Sequence, residues 1–435
     1  MDTSQMELQP PKAVLPDDLV LEIIVRSSSA AIIVRCAAVS RSLRRRILHP
    51  TFLRRLRGVI SFDDGADGHH GFIPSLLLGL YHRTKDPCRP AAFVPAEAGA
   101  SIATSLALAP PETPSHGDNQ YSACVFSSYL PVASRRSLLV LRRRCKISSY
   151  NRRQLNAHGE CPGELTVCNP ASGERWVLPP HEMFDQTLVL LDVNHDRALG
   201  SHSFKLLAAE LPESSPRTLI VQVFSSDERE WSPPLACPIS RSCSFHGHPK
   251  PVVLRSAVHW LCFTFSAYSI LKWERRGDGA EPKASMMNLP PSCESGVQDM
   301  CLALSTPSVA DGTTNHAASL CVLVHWRDHI AVWVRTAARR RSGFWELRHV
   351  VREDCIARPM DFRDGWLRGA ELGWFCEGSG ALILEGDDDP LLLLDLPRMA
   401  VNKIKTVSRD SYTQPEFWPY ETDLISYMMF LMKTF

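Results

Sequence analysis

No stretch of this chain approaches the ~18 consecutive apolar residues that a membrane-spanning helix needs, so no membrane segment is expected. Net charge is nearly absent as well. The 48 basic and 47 acidic side chains leave +1, too little for a general field drawing in nucleic acid, a membrane surface or acidic substrates. The opening MDTSQMELQPPK has no apolar centre, and neither a secretory signal nor an anchor is expected there. The 14 cysteines are scattered, which reads as reduced thiols of the cytoplasm or nucleus.

Catalytic signatures are missing too. The chain has no G-x-S-x-G elbow, no glycine-rich phosphate loop closing on Lys-Ser or Lys-Thr, and no H-E-x-x-H. Gly378-Ser379-Gly380 reads as a hairpin turn. Asp387-Asp388-Asp389-Pro390 reads as a solvated turn, because no fourth oxygen ligand follows at loop spacing. Cys237, Cys243, His246 and His248 are zinc-type donors, but their irregular spacing around Gly247 assigns no metal, and no cofactor is expected. Arg44, Arg45 and Arg46 are consecutive and fan around a helix. They lack the interleaved aromatics of single-strand binders, so they read as steering toward an acidic partner. Arg339, Arg340 and Arg341 are expected on a solvated loop.

What is present begins at Leu15: LPDDLVLEIIVRSSSAAIIVRCAAVSRSLRRRILHPTFLRRL, ending at Leu56. Pro16 with Asp17 and Asp18 starts a helix carrying Val20, Ile23 and Ile24, and Ser27 to Ser29 breaks it. Ile32, Ile33, Cys36 and Val39 mark a second helix. Ser40 caps a third, with Leu43 and Ile47, that stops at His49-Pro50, and Thr51 opens a last turn holding Phe52 and Leu56. So small a unit rarely buries enough surface to stand alone. Its surplus apolar area points to a docking face for another protein, or else to a cap on the rest of this chain.

Leu15-Pro16, Asp18-Leu19, Ile23-Ile24, Arg26, Arg35-Cys36, Val39-Ser40, Pro50 and Phe52 resemble an F-box, the module that hangs substrate receptors on a Skp-type adaptor. Two positions depart from the usual pattern. The serine run stands where a Leu-Pro is usual, and Leu43 stands where an aromatic is usual, as in a cereal-type plant subgroup. The resemblance implies an adaptor-facing apolar set of Leu15, Pro16, Leu19, Ile23, Ile32, Ile33, Val39, Leu43, Pro50 and Phe52.

Beyond Gly58 the helical period fades, and 32 prolines with 23 glycines punctuate short apolar runs, as in an all-β domain. Strands are expected at Leu76–Tyr81, Ala91–Val94, Ser137–Arg142, Leu165–Cys168, Trp176–Leu178, Phe204–Ala209, Leu219–Phe224, Ala257–Phe265, Cys321–Trp326, Ile330–Val334, Ala381–Leu384 and Leu391–Leu396. Ala257–Phe265 has apolar residues on both faces and is expected to be covered on both. Residues 96–119 read as a long loop. A weak repeat recurs about every 55 residues, near the kelch-type blade period. It runs Val167…Trp176…Pro179, Val223…Trp231…Pro233, Leu271…Met287…Pro290 and Val332…Trp345. About six four-stranded blades follow, with a pair of β-sandwiches as the alternative. LTVCNPASGERWVLPP, from Leu165 to Pro180, is similar to a stretch of plant F-box-associated β-propeller domains. So are Ser134–Leu141 and Ala257–Leu261, which that family places on inner strands.

The expected fold is α+β and multidomain: a small all-α F-box-like module at 12–57, a connecting segment with first-blade strands and a long loop at 58–120, and a kelch-like β-propeller at 121–430. The resemblance implies a non-catalytic substrate-recognition subunit of a Skp–cullin–F-box ubiquitin ligase. It would bind a Skp-type adaptor, through it a cullin scaffold, and an unidentified target protein, with no nucleic acid or membrane partner. A propeller scaffold with a degenerate F-box is the alternative, and a propeller enzyme or sugar-binding protein is a third reading.

Overall fold

The computed structural model of the protein describes residues 15–27, 30–60, 72–83, 92–96, 129–143, 164–245, 250–275, 281–305, 318–336, 344–386, 391–404 and 416–432, with breaks of one to four residues inside these ranges. Four helices open the chain: α1 (Asp17–Ser27), α2 (Ala30–Val39), α3 (Arg41–Ile47) and α4 (Pro50–Ile60). Ser40 caps α3 as its sequence position predicts, in extended backbone with its side chain accepting from Leu43 N at 3.4 Å. The turn expected at Thr51 is instead an 11-residue helix. Pro50 takes its first position, and Thr51 N donates to His49 Nδ1 at 3.3 Å.

Strands follow to the C-terminal end. β1 (Leu77–Arg83) and β2 (Ala92–Pro95) pair antiparallel. A second sheet holds β3 (Tyr129–Arg135), β4 (Leu138–Arg143), β5 (Leu165–Cys168) and β6 (Arg175–Val177). The third has β7 (Thr187–Asp196), β8 (Ser201–Glu210), β9 (Thr218–Ser225) and an outer strand split into β10 (Glu230–Trp231) and β11 (Leu235–Pro238). In the fourth the axial strand is split, β12 (Ser244–Phe245) and β13 (Val252–Leu254), ahead of β14 (Ala257–Phe263), β15 (Tyr268–Glu274) and β16 (Lys283–Met287). The fifth has β17 (Asp299–Ser305), β18 (Ser319–Trp326), β19 (His329–Thr336) and β20 (Phe344–Arg352). The sixth has β21 (Ala370–Phe375), β22 (Ala381–Gly386), β23 (Leu392–Asp395) and β24 (Ala400–Lys403).

The chain then returns. β25 (Glu416–Glu421) pairs with β1, so the first sheet reads β2-β1-β25 and joins the C-terminal strand to two strands from near the N-terminus. The result is a six-bladed β-propeller, with axial strands beginning at residues 129, 187, 244, 299, 370 and 416. Closure leaves only the outermost strand of each blade as an edge, which is how such folds limit edge-to-edge aggregation.

The sequence repeat falls on the third and fourth strands of four consecutive blades. Val167 and Trp176 lie on β5 and β6, Val223 and Trp231 on β9 and β10, Leu271 and Met287 on β15 and β16, Val332 and Trp345 on β19 and β20. Two of these tryptophans latch neighbouring blades. Trp231 Nε1 donates to Pro179 O and Trp345 Nε1 to Asn288 O, each at 2.9 Å, at the exit of the preceding blade.

Some expectations need correction. The 58–120 segment supplies first-blade strands as expected, β1 and β2, so the propeller boundary drawn at 121 moves back to Leu77. The 96–119 loop lies outside the described residues apart from Ala96. Ala257–Phe265 ends at Phe263 and is covered fully on one face only: Val258, Trp260 and Cys262 are buried, whereas Phe263 is exposed. Leu138–Leu141 and Ala257–Leu261 lie on second strands, one place out from the axis.

Because strands alternate in direction, turns between first and second strands, and between third and fourth, all lie on one face of the ring, here the lower face. The turn Arg136-Ser137 between β3 and β4 has φ of 45° and 70°, the left-handed pair a two-residue hairpin needs. Ser137 holds the C-terminal segment. Its N–H donates to Glu421 O at 2.7 Å, and its hydroxyl lies 2.9 Å from Asp423 Oδ2. Asp423 in turn accepts from Ser426 N at 2.8 Å, capping α5 (Leu424–Met432), a helix that was not foreseen.

Candidate functional site

α5 forms the floor on which the helical module sits. Leu424, Ile425, Met428 and Met432 share one core with Leu21, Ile24, Val25, Ile33, Val34, Ala37, Ile47, Phe52, Leu53 and Leu56 of α1–α4, and with Tyr81, Leu139, Leu141 and Tyr420 of the first two blades. Arg44 adds a polar tie, donating to Met432 O at 3.4 Å. The module is thus seated on the lower face by its own chain.

That packing divides the apolar residues of the module. Ile33 and Phe52 are buried and hold the helices, and Leu43 is half-buried. Leu19 and Ile23 stand four residues apart on one side of α1, Leu15 lies just ahead of the helix, and all three are exposed, Ile23 at 60%. Ile32 and Val39 are exposed on α2, Val39 at 82%, and Pro16 and Pro50 are exposed as well. α1 and α2 therefore each have a buried apolar side within the shared core, where α2 packs against α5 and α1 against α2 and α4, and exposed apolar residues facing out.

Charges frame the outward stripe. Glu22 accepts from Arg26 Nε at 2.9 Å and pairs with Arg55, while Asp18 pairs with Arg46. The Arg26 hydrogen bond, helped by Arg55, holds the Glu22 carboxyl below its ordinary value. These pairs knit α1 to α3 and α4, and they leave Arg41, Arg45 and Arg54 exposed on the same module.

The propeller axis is the other place where chemistry could gather, and its lower half is occupied. Arg135 Nε donates to Glu377 Oε2 at 2.8 Å, and Arg135 also donates to Leu191 O. Glu377 Oε1 accepts from Val253 N at 2.9 Å. These residues come from the second, third, fourth and sixth blades, so the ion pair lies across the channel. Gly378-Ser379-Gly380 is the hairpin turn expected. Its would-be anion cradle holds Glu421, whose carboxylate accepts from Gly378 N at 2.9 Å and Ser379 N at 2.7 Å. Burial pushes the Glu421 carboxyl up against the pull of those bonds.

Cys237 and Cys243 are buried in the core of the third and fourth blades, where Cys243 faces Cys262. His246, His248, Asp387 to Asp389 and Arg339 to Arg341 lie outside the described residues. Among the described residues no group of three or more His, Cys, Asp or Glu side chains could hold a metal ion, and no helix is long and apolar enough to cross a membrane. Sequence reasoning missed α5, although Asp423 ahead of the run LISYMMFLM is a helix-start signal. It also missed the Arg135–Glu377 pair, for which the sequence carries no local signal.

The chain belongs to the family described as Domain of unknown function (DUF7595), whose model matches residues 98–435. That match covers most of the propeller and α5 and leaves out the helical module and the strands β1 and β2. No curated protein matches the chain. Among solved structures, the β-propeller domain of the Trilobed protease from Pyrococcus furiosus, described as having an open velcro topology, is similar over 66% of this chain and 98% of that one, at 9% identity and a TM-score of 0.21. At that score the likeness adds nothing to the sheet order described above.

Proposed function

We propose that this member of the DUF7595 family is the substrate-recognition subunit of a Skp–cullin–F-box ubiquitin ligase. The outward stripe of Leu15, Leu19, Ile23, Ile32 and Val39, with exposed Pro16 and Pro50, meets the Skp-type adaptor. Ile33, Phe52 and half-buried Leu43 act by holding the helices in place. The observation that carries this reading is that stripe: four large apolar side chains exposed on two short helices whose opposite sides are already packed, with exposed Leu15 just ahead of the first. Exposed Arg41, Arg45 and Arg54 suit an acidic adaptor.

The chain supplies proximity and no reacting group. With the cullin arm fixed by the adaptor, a target held on the propeller has its lysines at high effective concentration near the charged conjugating enzyme. The ion pair across the lower half of the axis supports a non-catalytic role, because it takes up part of the space that a channel site would offer its substrate. The setting is the cytoplasm or nucleus, and the target is a protein.

A second reading keeps the propeller as a scaffold whose F-box has lost its adaptor. The serine run at Ser27 to Ser29 in place of Leu-Pro and the use of the inner stripe by α5 favour it. Mixing the purified full chain with a recombinant Skp-type adaptor separates the two. A complex that Leu19→Asp combined with Pro16→Ala abolishes is expected for the receptor, and no complex from a folded chain for the scaffold.

A further inference from the structure

Arg135 meets Glu377, and Arg358 meets Glu353 and Asp364, but Arg335 meets no carboxylate among the described residues. Arg335 stands half-buried on β19 of the fifth blade. Its guanidinium reaches across to the fourth blade, where it donates to Met287 Sδ at 3.0 Å. A thioether is a weak acceptor for a charged fork. Burial pulls the Arg335 pKa down from the ordinary arginine value, the mark of a cation that has lost water without gaining a counter-charge.

Its surroundings are basic too. Val252, His259, Lys272 and Ser285 stand level on β13, β14, β15 and β16, so their side chains share one face of the fourth blade. That face looks toward the fifth blade: Val252 and Ile270 belong to the core shared with it, whereas the alternating Val258, Trp260, Leu271 and Trp273 fill the core shared with the third. His259 is 3% exposed, its Nδ1 has no hydrogen-bond partner, and Lys272 and Arg335 both lie within electrostatic reach of the ring. Glu274 is the carboxylate on this face, and Lys272 pairs with it. Against it stand Lys272, Arg335 and Lys283, which lies opposite Glu274 on β16. From the fifth blade, the residue level with Arg335 on β20 is Trp345, and Glu346 alternates to the other side.

We propose that the interface between the fourth and fifth blades is a binding site for a phosphate-type oxyanion, held by Arg335 with Lys272, His259 and the Ser285 hydroxyl. The chemistry fits a tetrahedral anion. A guanidinium fork takes two of its oxygens, and the ammonium, the imidazole and the hydroxyl offer donors to the others. Half-buried Arg335, Lys272 and Ser285 leave the site open to solvent, so the anion is free phosphate or a phosphorylated side chain, which present the same group. The helical module rests on the first two blades, so the site is independent of whether that module binds an adaptor.

Titration of the full chain with inorganic phosphate in a calorimeter, at ionic strength fixed with sodium chloride, tests this. The wild type is expected to bind phosphate saturably. Arg335→Met keeps an apolar stem against Met287 and removes the fork, and it is expected to weaken binding roughly tenfold or more at an unchanged melting temperature. Arg335→Lys keeps the charge without the fork and is expected to fall between the two, which leaves a second reading should the methionine variant fold poorly. Repeating the titration with phosphoserine separates the sources: tighter binding than inorganic phosphate assigns the site to a phosphorylated side chain, and equal or weaker binding to the free anion. A folded wild type with no saturable phosphate binding, or binding that Arg335→Met and Arg335→Lys leave unchanged, would each overturn the proposal.

Discussion

Arg135 and Glu377 stand 242 residues apart in sequence and meet at 2.8 Å on the propeller axis. With Leu191 O on one side and Val253 N on the other, this single pair ties four of the six blades together at the lower face. Both side chains are largely buried, so each is the other's main compensation for lost water. The helical module, seated on that same face, inherits its orientation from this clamp and from the closing strand β25.

Removing one partner leaves a charge without its counterpart. Glu377→Ala is expected to cost roughly 2–4 kcal/mol of stability, since a broken buried pair is strongly destabilising and this one keeps a little solvent contact. Urea unfolding followed by tryptophan fluorescence measures it. A cost below about 0.5 kcal/mol, the range of exposed pairs, would mean the axis is wet and the clamp incidental.

Stability should also fall with acid through His259. This side chain is buried in the fourth blade, and burial, with Lys272 and Arg335 adding to it, pushes its pKa from 6.5 down to about 4. The unfolded chain takes up the proton first, so the contribution is complete above about pH 6.5 and is lost as pH falls toward 4. A loss of about 2 kcal/mol from this residue is expected between about pH 7 and pH 5. Unfolding free energies against pH for wild type and His259→Leu check it: the variant's curve should be flatter by that amount over the same interval.

Much of the outer architecture is legible in the residues, and the inner architecture is not. β5 with β6 and β18 with β19 announce themselves by an apolar run, a turn such as Asn169–Gly173 or Arg327-Asp328, and a flanking tryptophan. Among the axial strands, β7 and β17 hold an apolar run, Leu188–Leu191 and Met300–Leu304, without the turn-and-tryptophan signature, and the others lack even the run. Pro131 interrupts β3, Gly373 interrupts β21, Pro419 interrupts β25, and the fourth blade's axial strand is split in two. Their neighbours across the ring come from distant parts of the chain, so no local period marks them. The module shows the same limit. Its apolar residues are plain in sequence, but the division between Ile33, turned in, and Ile32, turned out, depends on α5, almost four hundred residues away.

If α5 is the floor of the module, a charge within it should lift the module off the propeller. Met428 is fully buried among α5 and the helices, and Met428→Asp would place an unpaired carboxylate there. Limited proteolysis is expected to cut residues 15–60 much faster in the variant, with the six-bladed core still resistant. Equal protection of the helices in both proteins would show that the module stands without α5.

The indole latches make a smaller claim. Trp231→Phe removes the donor to Pro179 O and keeps an aromatic ring at the position stacked on His181, 5.1 Å between centroids. A loss of about 1 kcal/mol is expected, the worth of one hydrogen bond. Trp345→Phe should lose a similar amount through Asn288 O, read by chemical denaturation of the two variants side by side.

The central claim is that the outward stripe on α1 and α2 is a binding face, and titration calorimetry of the full chain with a purified Skp-type adaptor tests it most directly. Ile23 and Val39 lie in the open, so aspartate at either position should leave folding intact while removing the adaptor-facing surface. The account predicts saturable binding by the wild type that Ile23→Asp and Val39→Asp each abolish at unchanged melting temperature. Absence of binding by the folded wild type, or binding that neither substitution weakens, would contradict it.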